Sequence, residues 1–367
     1  MPHEDAGSGA DTPTIIELSP DEARRVSTER STTAVQHRAD KLLQVRNLTT
    51  HFFTPDGVVQ AVDDVSFDVD YGETLGLVGE SGCGKSVTAL SVARLVPNPP
   101  GRIVAGEILF DGINVLKLND EEMRKLRGKE IGFIFQDPLT SLNPTLTIGY
   151  QIAETIREHL GLSRKAAEDR VVELLAKVGI PRPKERLKDY PFHFSGGMRQ
   201  RVMIAIALSC DPKLILADEP TTALDVTIQA QILELIQTLS DEFHTAVLMI
   251  THDLGIAAGM CDRVNVMYAG RIVETASVDE LFEQPRMPYS WGLLDSLPRI
   301  DDVRGDRLRT IEGMPPLLIA PPDACRFSAR CNFARDMCRT DEPELTSRGS
   351  ETHMARCWGT EPGGWIS

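Results

Sequence analysis

One eight-residue segment constrains the fold of this chain more than any other feature. Residues 79–86 read Gly-Glu-Ser-Gly-Cys-Gly-Lys-Ser, which fits the pattern G-x-x-x-x-G-K-[ST]. The apolar run Thr74–Val78 precedes the segment, and the residues from Ser86 onward have helical character. Glycines let backbone N–H groups surround phosphate oxygens, and the following helix presents its positive end to the same anion. The segment therefore predicts a strand, a phosphate-binding loop and a helix.

The loop supplies most of the predicted nucleotide contacts. We expect Lys85 to reach the β- and γ-phosphates and the Ser86 hydroxyl to bind Mg²⁺. The alternative is a glycine-rich turn that merely resembles the motif, and the flanking strand and helix disfavour it. The predicted contact residues are Gly79, Ser81, Gly82, Cys83, Gly84, Lys85, Ser86 and Val87.

A second strand ends in two carboxylates. Residues 213–218 read Lys-Leu-Ile-Leu-Ala-Asp, and Glu219 follows directly. We expect Asp218 to hold Mg²⁺ and Glu219 to polarise the attacking water as general base. Such a pair alone is more often a solvated strand end, but together with the phosphate loop it predicts hydrolysis of ATP.

Strand-like and helix-like segments alternate along the middle of the chain. Residues 65–70 alternate apolar and polar residues, and apolar runs return at 214–217 and 246–250. Residues from about 137 to 195 have helical spacing, and a further helix lies between the last two runs. This alternation predicts an α/β fold with a largely parallel sheet.

The segment Phe194–Arg201, FSGGMRQR, resembles the signature of the ABC ATPases, which is usually LSGGQ. Other elements resemble the same family in the expected order. They are Phe52 for stacking on adenine, Gln136 of the Q-loop, residues 137–148 for docking a transmembrane partner, 223–225 including Asp225 for the D-loop, and His252 as the switch histidine. The resemblance implies that Gln136 is a further ligand of Mg²⁺ that senses the attacking water. It also implies that Gln136 and His252 are catalytic residues beside Glu219. The resemblance covers about residues 41–285. It implies a RecA-like parallel-sheet core, an antiparallel β subdomain and an α-helical subdomain at about 137–195.

The signature predicts a second anion site. Ser195, Gly196 and Gly197 open a helix, and a helix N-terminus attracts anions. Ser195 is also an ordinary helix cap. In the family, the signature of one subunit closes on the γ-phosphate held by another, so the resemblance implies a head-to-tail dimer of two ATPase subunits.

Several stretches resemble the peptide-permease ATPases in particular, which include oligopeptide, dipeptide and nickel importers. They are residues 52–67, 79–86, 194–208 and 286–289 with the downstream residues 293–296. The Met-Arg form of the signature resembles the D-type subunit, which pairs with an F-type paralogue. The resemblance implies two transmembrane permease subunits and an extracytoplasmic peptide-binding protein as further partners. It also implies a place at the cytoplasmic face of the membrane.

Composition argues against the alternative to a transporter subunit, which is a soluble ABC ATPase that acts on nucleic acid or ribosomes. The chain has 54 acidic and 39 basic residues and a formal net charge of -15, which disfavours binding to nucleic acid.

The polar, acidic start of the chain lacks the pattern of a signal peptide, which predicts a cytoplasmic protein. Residues 1–40 have the composition of a disordered tail.

Residues 286–367 form a predicted extension rich in cysteine. Cys325, Cys331, Cys338 and Cys357 have the spacing C-x5-C-x6-C-x18-C. A reducing compartment disfavours disulfides, and the spacing lacks the close pairs of most zinc sites. Four thiolates suit a [4Fe-4S] cluster, which the resemblance supports. Zinc, with His353 as a possible substitute ligand, and a tail without metal remain the alternatives.

Overall fold

The computed structural model describes residues 41–222, 224–297, 311–350 and 352–366. The predicted tail at 1–40 lies outside the described residues. The strands that the structure describes are β1 (Leu43–Thr54), β2 (Gly57–Val69), β3 (Thr74–Val78), β4 (Gly101–Phe110), β5 (Ile113–Asn114), β6 (Ile131–Ile134), β7 (Leu214–Asp218), β8 (Ala246–Thr251), β9 (Arg263–Tyr268), β10 (Arg271–Ser277), β11 (Thr346–Ser347) and β12 (Met354–Ala355).

The α-helices of the described residues surround these strands. They are α1 (Lys85–Val92), α2 (Asp120–Leu126), α3 (Pro138–Ser141), α4 (Ile148–Leu160), α5 (Arg164–Lys177), α6 (Pro183–Arg186), α7 (Gly196–Ala207), α8 (Val226–Phe243), α9 (Leu254–Met260), α10 (Val278–Glu283), α11 (Pro288–Asp295) and α12 (Met337–Thr340).

The main sheet carries the nucleotide motifs. Its strand order is β11-β12-β10-β9-β3-β8-β7-β6, and β9, β3, β8, β7 and β6 pair in parallel. Every residue of β7 and β8 is buried, which explains their unbroken apolar runs, because a parallel strand is covered on both faces. The predicted α/β class with a largely parallel sheet is confirmed. The phosphate loop and the strand-end carboxylates follow β3 and β7 at the same edge of this sheet.

A smaller antiparallel sheet packs against one face. Its order is β2-β1-β4-β5, and its buried residues Leu43, Val62 and Phe67 share a core with Leu75 and Leu248 of the main sheet. Helix α1 also contributes to this core. The phosphate loop at the start of α1 therefore lies where the two sheets meet.

Helices α4, α5, α7 and α8 cover the opposite side and share a second core with the main sheet. Val171, Leu174, Leu175 and Val178 are at most 1% exposed, as their helical spacing in the sequence predicts. Segment 137–195 is thus largely helical. No helix of the described residues is long and apolar enough to cross a bilayer.

The segment after residue 285 is continuous with the main sheet. Strand β12 pairs with β10, and β11 pairs with β12, so this segment extends the antiparallel edge. A third core forms around Tyr268, Tyr289 and Phe327. It joins β9 and α11 to the described residues from 311 onward, which we call the cysteine-rich segment. The boundary at about residue 285 stays a prediction, and backbone pairing crosses it.

Candidate nucleotide-binding and hydrolysis site

Two glycines of the phosphate loop are required by the backbone. Gly79 has a φ of +154°, and a Cβ there would lie 2.1 Å from the carbonyl oxygen of Met267. Gly84 has a φ of +109°, and its Cβ would lie 2.2 Å from the carbonyl oxygen of Ala61. A side chain at either position would force the loop away from its neighbours. Gly84 is also the N-cap of α1, so the loop leads straight into the helix N-terminus.

Lys85 lies over this loop and is 4% exposed. Its Nζ donates to the carbonyl oxygens of Gly79 at 2.8 Å and Glu80 at 3.0 Å. The same Nζ lies 3.9 Å from Oε1 of Glu219. The ammonium group is therefore held between the phosphate loop and the strand-end carboxylates, where it can bind an anion seated on the loop.

Ser86 and Asp218 meet across the two motifs. The Ser86 hydroxyl donates to Oδ1 of Asp218 at 2.8 Å, although the residues are 132 positions apart. Burial raises the pKa of the Asp218 carboxyl, and the neighbouring charge of Glu219 raises it further. A hydroxyl and a carboxylate are the oxygen ligands that Mg²⁺ prefers, and a bound cation would favour the ionised carboxylate. These two side chains fit the predicted magnesium site.

Glu219 is the centre of a hydrogen-bonded group. Its Oε2 accepts from Nε2 of Gln136 at 3.1 Å and from the Thr222 hydroxyl at 2.8 Å, and it lies 3.3 Å from Nδ1 of His252. Its φ of +44° is unusual for a residue with a side chain and is typical of functional positions. The structure thus brings the three predicted catalytic residues together. Sequence reasoning missed Thr222, whose only signal is its place three residues after the carboxylate.

The signature begins α7 with its first residues exposed. Ser195 is the N-cap of α7, and its Oγ accepts from the backbone N–H of Met198 at 3.4 Å. Gly197 packs so closely on α8 that a Cβ would lie 2.7 Å from Cγ2 of Ile228. Asp225 caps α8, accepting from the N–H of Ile228 at 3.1 Å. Ser195, Gly196 and Asp225 are exposed, so their polar groups face away from this chain's core.

The predicted adenine contact lies on β1. Phe52 pairs with Val59 and Gly101 and is half-buried, while the adjacent Phe53 is 52% exposed. Both rings lie on the small sheet that meets the phosphate loop. Of the D-loop, Ala223 lies outside the described residues.

The four C-terminal cysteines line one cavity. Cys325, Cys331, Cys338 and Cys357 are all free thiols, and burial raises the pKa of Cys325 to about 12. Among the described residues, no group of three or more His, Cys, Asp or Glu side chains is placed so that it could hold a metal ion. His353 does not line this cavity, and its Nε2 lies 2.8 Å from Oε1 of the buried Glu274. The histidine is therefore engaged elsewhere.

Comparison with known proteins agrees with this geometry. A family model described as "ABC transporter" matches residues 62–222, and one described as "Oligopeptide/dipeptide transporter, C-terminal region" matches 273–338. A solved dimeric ATP-binding cassette bound to ADP and Pi has a TM-score of 0.58 and 29% identity, over 64% of this chain and 98% of that one. Fold and site together define an ABC ATPase.

Relatives extend the match beyond the cassette. The oligopeptide transport ATP-binding protein OppD of Bacillus subtilis is 51% identical over 89% of this chain and 90% of the relative. The dipeptide transport ATP-binding protein DppD of the same organism is 51% identical over 87% and 95%. The chain belongs to this family of ABC transporter ATP-binding proteins. The relatives give no support to the nucleic-acid alternative.

Proposed function

We propose that this chain is the ATP-hydrolysing subunit of an importer that takes up peptides across the cytoplasmic membrane. The observation that carries the proposal is the convergence of Lys85, Ser86, Asp218 and Glu219 beside the phosphate loop. The matched C-terminal region of oligopeptide and dipeptide transporters supports the substrate class. Alignment with peptide-transport relatives over most of both chains supports it further.

The geometry supports a distinct chemical role for each of these residues. The loop N–H groups and Lys85 bind the β- and γ-phosphates, and Ser86 and Asp218 would hold Mg²⁺, which when bound offsets phosphate charge. Glu219 accepts a proton from the attacking water. Gln136 and His252 hold the Glu219 carboxylate in place through their contacts with Oε2.

The exposed signature supports assembly into a dimer. Ser195 and Gly196 present the N-terminus of α7 away from this chain, where it can meet the γ-phosphate bound by a second subunit. The second subunit is either a copy of this chain or an F-type paralogue, and we propose the paralogue. In the presence of ATP, this chain and such a paralogue should form a one-to-one complex that hydrolyses ATP faster than either chain alone.

Replacing Ser195 by Ala should weaken ATP-induced dimerisation about tenfold. The change removes a hydroxyl from the exposed anion site, and loss of the cap also costs about 1 kcal/mol of stability. Analytical ultracentrifugation with ATP and the F-type paralogue, in a hydrolysis-deficient background, measures the dimer. Ser163 caps α5 in the same way, accepting from the N–H of Ala166 at 3.3 Å. Ser163→Ala is therefore the matched control, and equal dimerisation of both variants would contradict the role of Ser195.

A surface beside the Q-loop supports attachment to permease subunits. Leu139 is 63% exposed, Tyr150 50% and Phe192 62%. Leu139 lies within the segment predicted to dock a transmembrane partner and Tyr150 just after it, and Phe192 lies three residues after Asp189, whose carbonyl oxygen accepts from the N–H of Ile148. A contiguous exposed apolar patch, unlike a single exposed side chain, marks a protein contact. We propose that the chain binds two permease subunits there, at the cytoplasmic face of the membrane, and that an extracytoplasmic peptide-binding protein delivers the substrate.

We propose further that the cysteine cavity holds a [4Fe-4S] cluster. Four free thiols around one cavity match such a cluster in ligand type and number, with Cys325, Cys331, Cys338 and Cys357 as ligands, although these side chains are not placed to hold a single metal ion. When bound, the cluster would tie these distant positions together as a structural support.

Anaerobically purified protein should contain about four irons and four acid-labile sulfides per chain and absorb in the visible range. Iron, sulfide and zinc analysis together test this. Zinc at one per chain, without sulfide, would establish the zinc alternative, and protein without metal would contradict both. A Cys210→Ser variant is the control, since the Cys210 thiol contacts the carbonyl oxygen of Thr155 in α4 and does not line the cavity.

A further inference from the structure

The second residue of the phosphate loop is anchored by residues far downstream. The backbone N–H of Glu80 donates to Oη of Tyr289 at 2.8 Å. Its carboxylate accepts two hydrogen bonds from Arg330, from Nη1 to Oε2 at 2.6 Å and from Nη2 to Oε1 at 2.9 Å. This is the two-point geometry in which a guanidinium group fixes both the position and the orientation of a carboxylate.

The guanidinium group of Arg330 is itself held in place by further contacts. Its side chain is 4% exposed, and Nε donates to the carbonyl oxygen of Glu312 at 3.0 Å while Nη2 donates to that of Ile311 at 3.1 Å. The guanidinium group also lies 5.8 Å from the ring centre of Tyr268. A buried arginine with partners on several sides has little freedom, so it acts as a rigid support for Glu80.

A second arginine supports the middle of the loop. Nη1 of Arg326 donates to the carbonyl oxygen of Ala269 at 2.5 Å, and Arg326 also pairs with Asp63. The next residue in that turn, Gly270, donates its N–H to the carbonyl oxygen of Cys83 at 2.8 Å. The cysteine-rich segment thus reaches the loop at two points, directly at Glu80 and through one turn at Cys83.

The segment that carries both arginines packs in a cluster of three aromatic rings. The rings of Tyr268, Tyr289 and Phe327 contact one another, with centres 4.6 to 5.4 Å apart. Phe327 lies between Arg326 and Arg330 in sequence, so the aromatic cluster fixes the segment that carries both. Movement of this segment would therefore move the phosphate loop.

We propose that Arg330 is a positioning residue of the nucleotide site. The cysteine-rich segment therefore contributes to ATP binding. A phosphate loop binds through backbone N–H groups whose directions must be set before the anion arrives, and Arg330 sets them through Glu80. The inference rests on the proposed ATP site. The competing view is that the Arg330–Glu80 pair contributes to stability alone.

Arg330→Met in the full chain should weaken binding of Mg²⁺ and a non-hydrolysable ATP analogue about tenfold, which corresponds to about 1.4 kcal/mol. Arg330→Lys keeps the charge but not the two-point geometry, so we expect a loss of about threefold. Arg339→Met is the matched control, because Arg339 is exposed on the same segment, and it should bind as the wild type does. Titration calorimetry measures all three affinities.

A double-mutant cycle separates positioning from stability. Glu80→Gln should weaken binding about as much as Arg330→Met, and the double variant should be within about twofold of either, because the two residues act through one contact. Losses that multiply, or wild-type affinity for Arg330→Met, would overturn the inference. If Arg330→Met does not fold, Glu80→Gln and Arg330→Lys decide alone, since wild-type affinity in both would also overturn it. A wild-type chain that binds no nucleotide would instead contradict the proposed function.

Discussion

Replacing Glu219 by Gln should lower ATP hydrolysis about 1,000-fold while leaving nucleotide binding intact. Removal of a positioned general base typically costs 100- to 10,000-fold, and a glutamine amide cannot accept the proton from water. The amide has the same shape as the carboxylate and retains an oxygen that can accept from Gln136 and Thr222, so the local fold should persist. Phosphate release under single-turnover conditions measures the loss.

The same variant should accumulate an ATP-bound dimer, because closure is followed by little hydrolysis. Sedimentation with ATP and the F-type paralogue should show a dimer for Glu219→Gln and mostly monomers for the wild type after turnover. Glu234→Gln is the matched control, since Glu234 is an exposed carboxylate on α8. Hydrolysis by Glu219→Gln at the wild-type rate would exclude Glu219 as the base.

Replacing Lys85 by Ala should reduce affinity for ATP on the order of 100-fold. Hydrogen bonds from an ammonium group to phosphate are charge-assisted and contribute about 1.5 to 3 kcal/mol each. In the structure Nζ donates to Gly79 and Glu80, so the lysine also helps to shape the loop that it completes. Both effects act in the same direction.

Equilibrium titration with a fluorescent ATP analogue would measure the Lys85→Ala effect. Lys117→Ala is the control, because Lys117 is exposed and lies outside the loop. Thermal unfolding should show nucleotide-induced stabilisation of the control and much less of Lys85→Ala. Equal stabilisation of the two variants would show that ATP binds elsewhere.

The core of the cassette could be predicted because its signals are local. The strand Thr74–Val78 has the bounds that its apolar run predicts, since a buried parallel strand needs apolar residues throughout. Glu219, Gln136 and His252 could be placed together because each follows a strand of the same parallel sheet. Family resemblance supplied the order of the motifs, and the sheet topology explains why that order brings them to one edge.

The support of the phosphate loop by the C-terminal segment could not be predicted in the same way. Arg330 and Glu80 are 250 positions apart, and nothing in the local pattern of either residue indicates the other. Tyr289 belongs to a stretch that the resemblance singled out, but its hydrogen bond to Glu80 follows only from the packing of α11. Strands β11 and β12 have two residues each, which is too short for any periodicity to show.

The pairing of β12 with β10 has a consequence for how the chain is made. On the ribosome, β10 emerges long before residues 346–355, so its outer edge stays open while the rest of the sheet can already form. Contacts that join such distant positions close late, because the intervening loop is entropically costly to order. A fragment cut at residue 285 would therefore keep every cassette motif and yet have an unprotected edge prone to aggregation. Activity lost on such a truncation would report incomplete folding as much as a missing function.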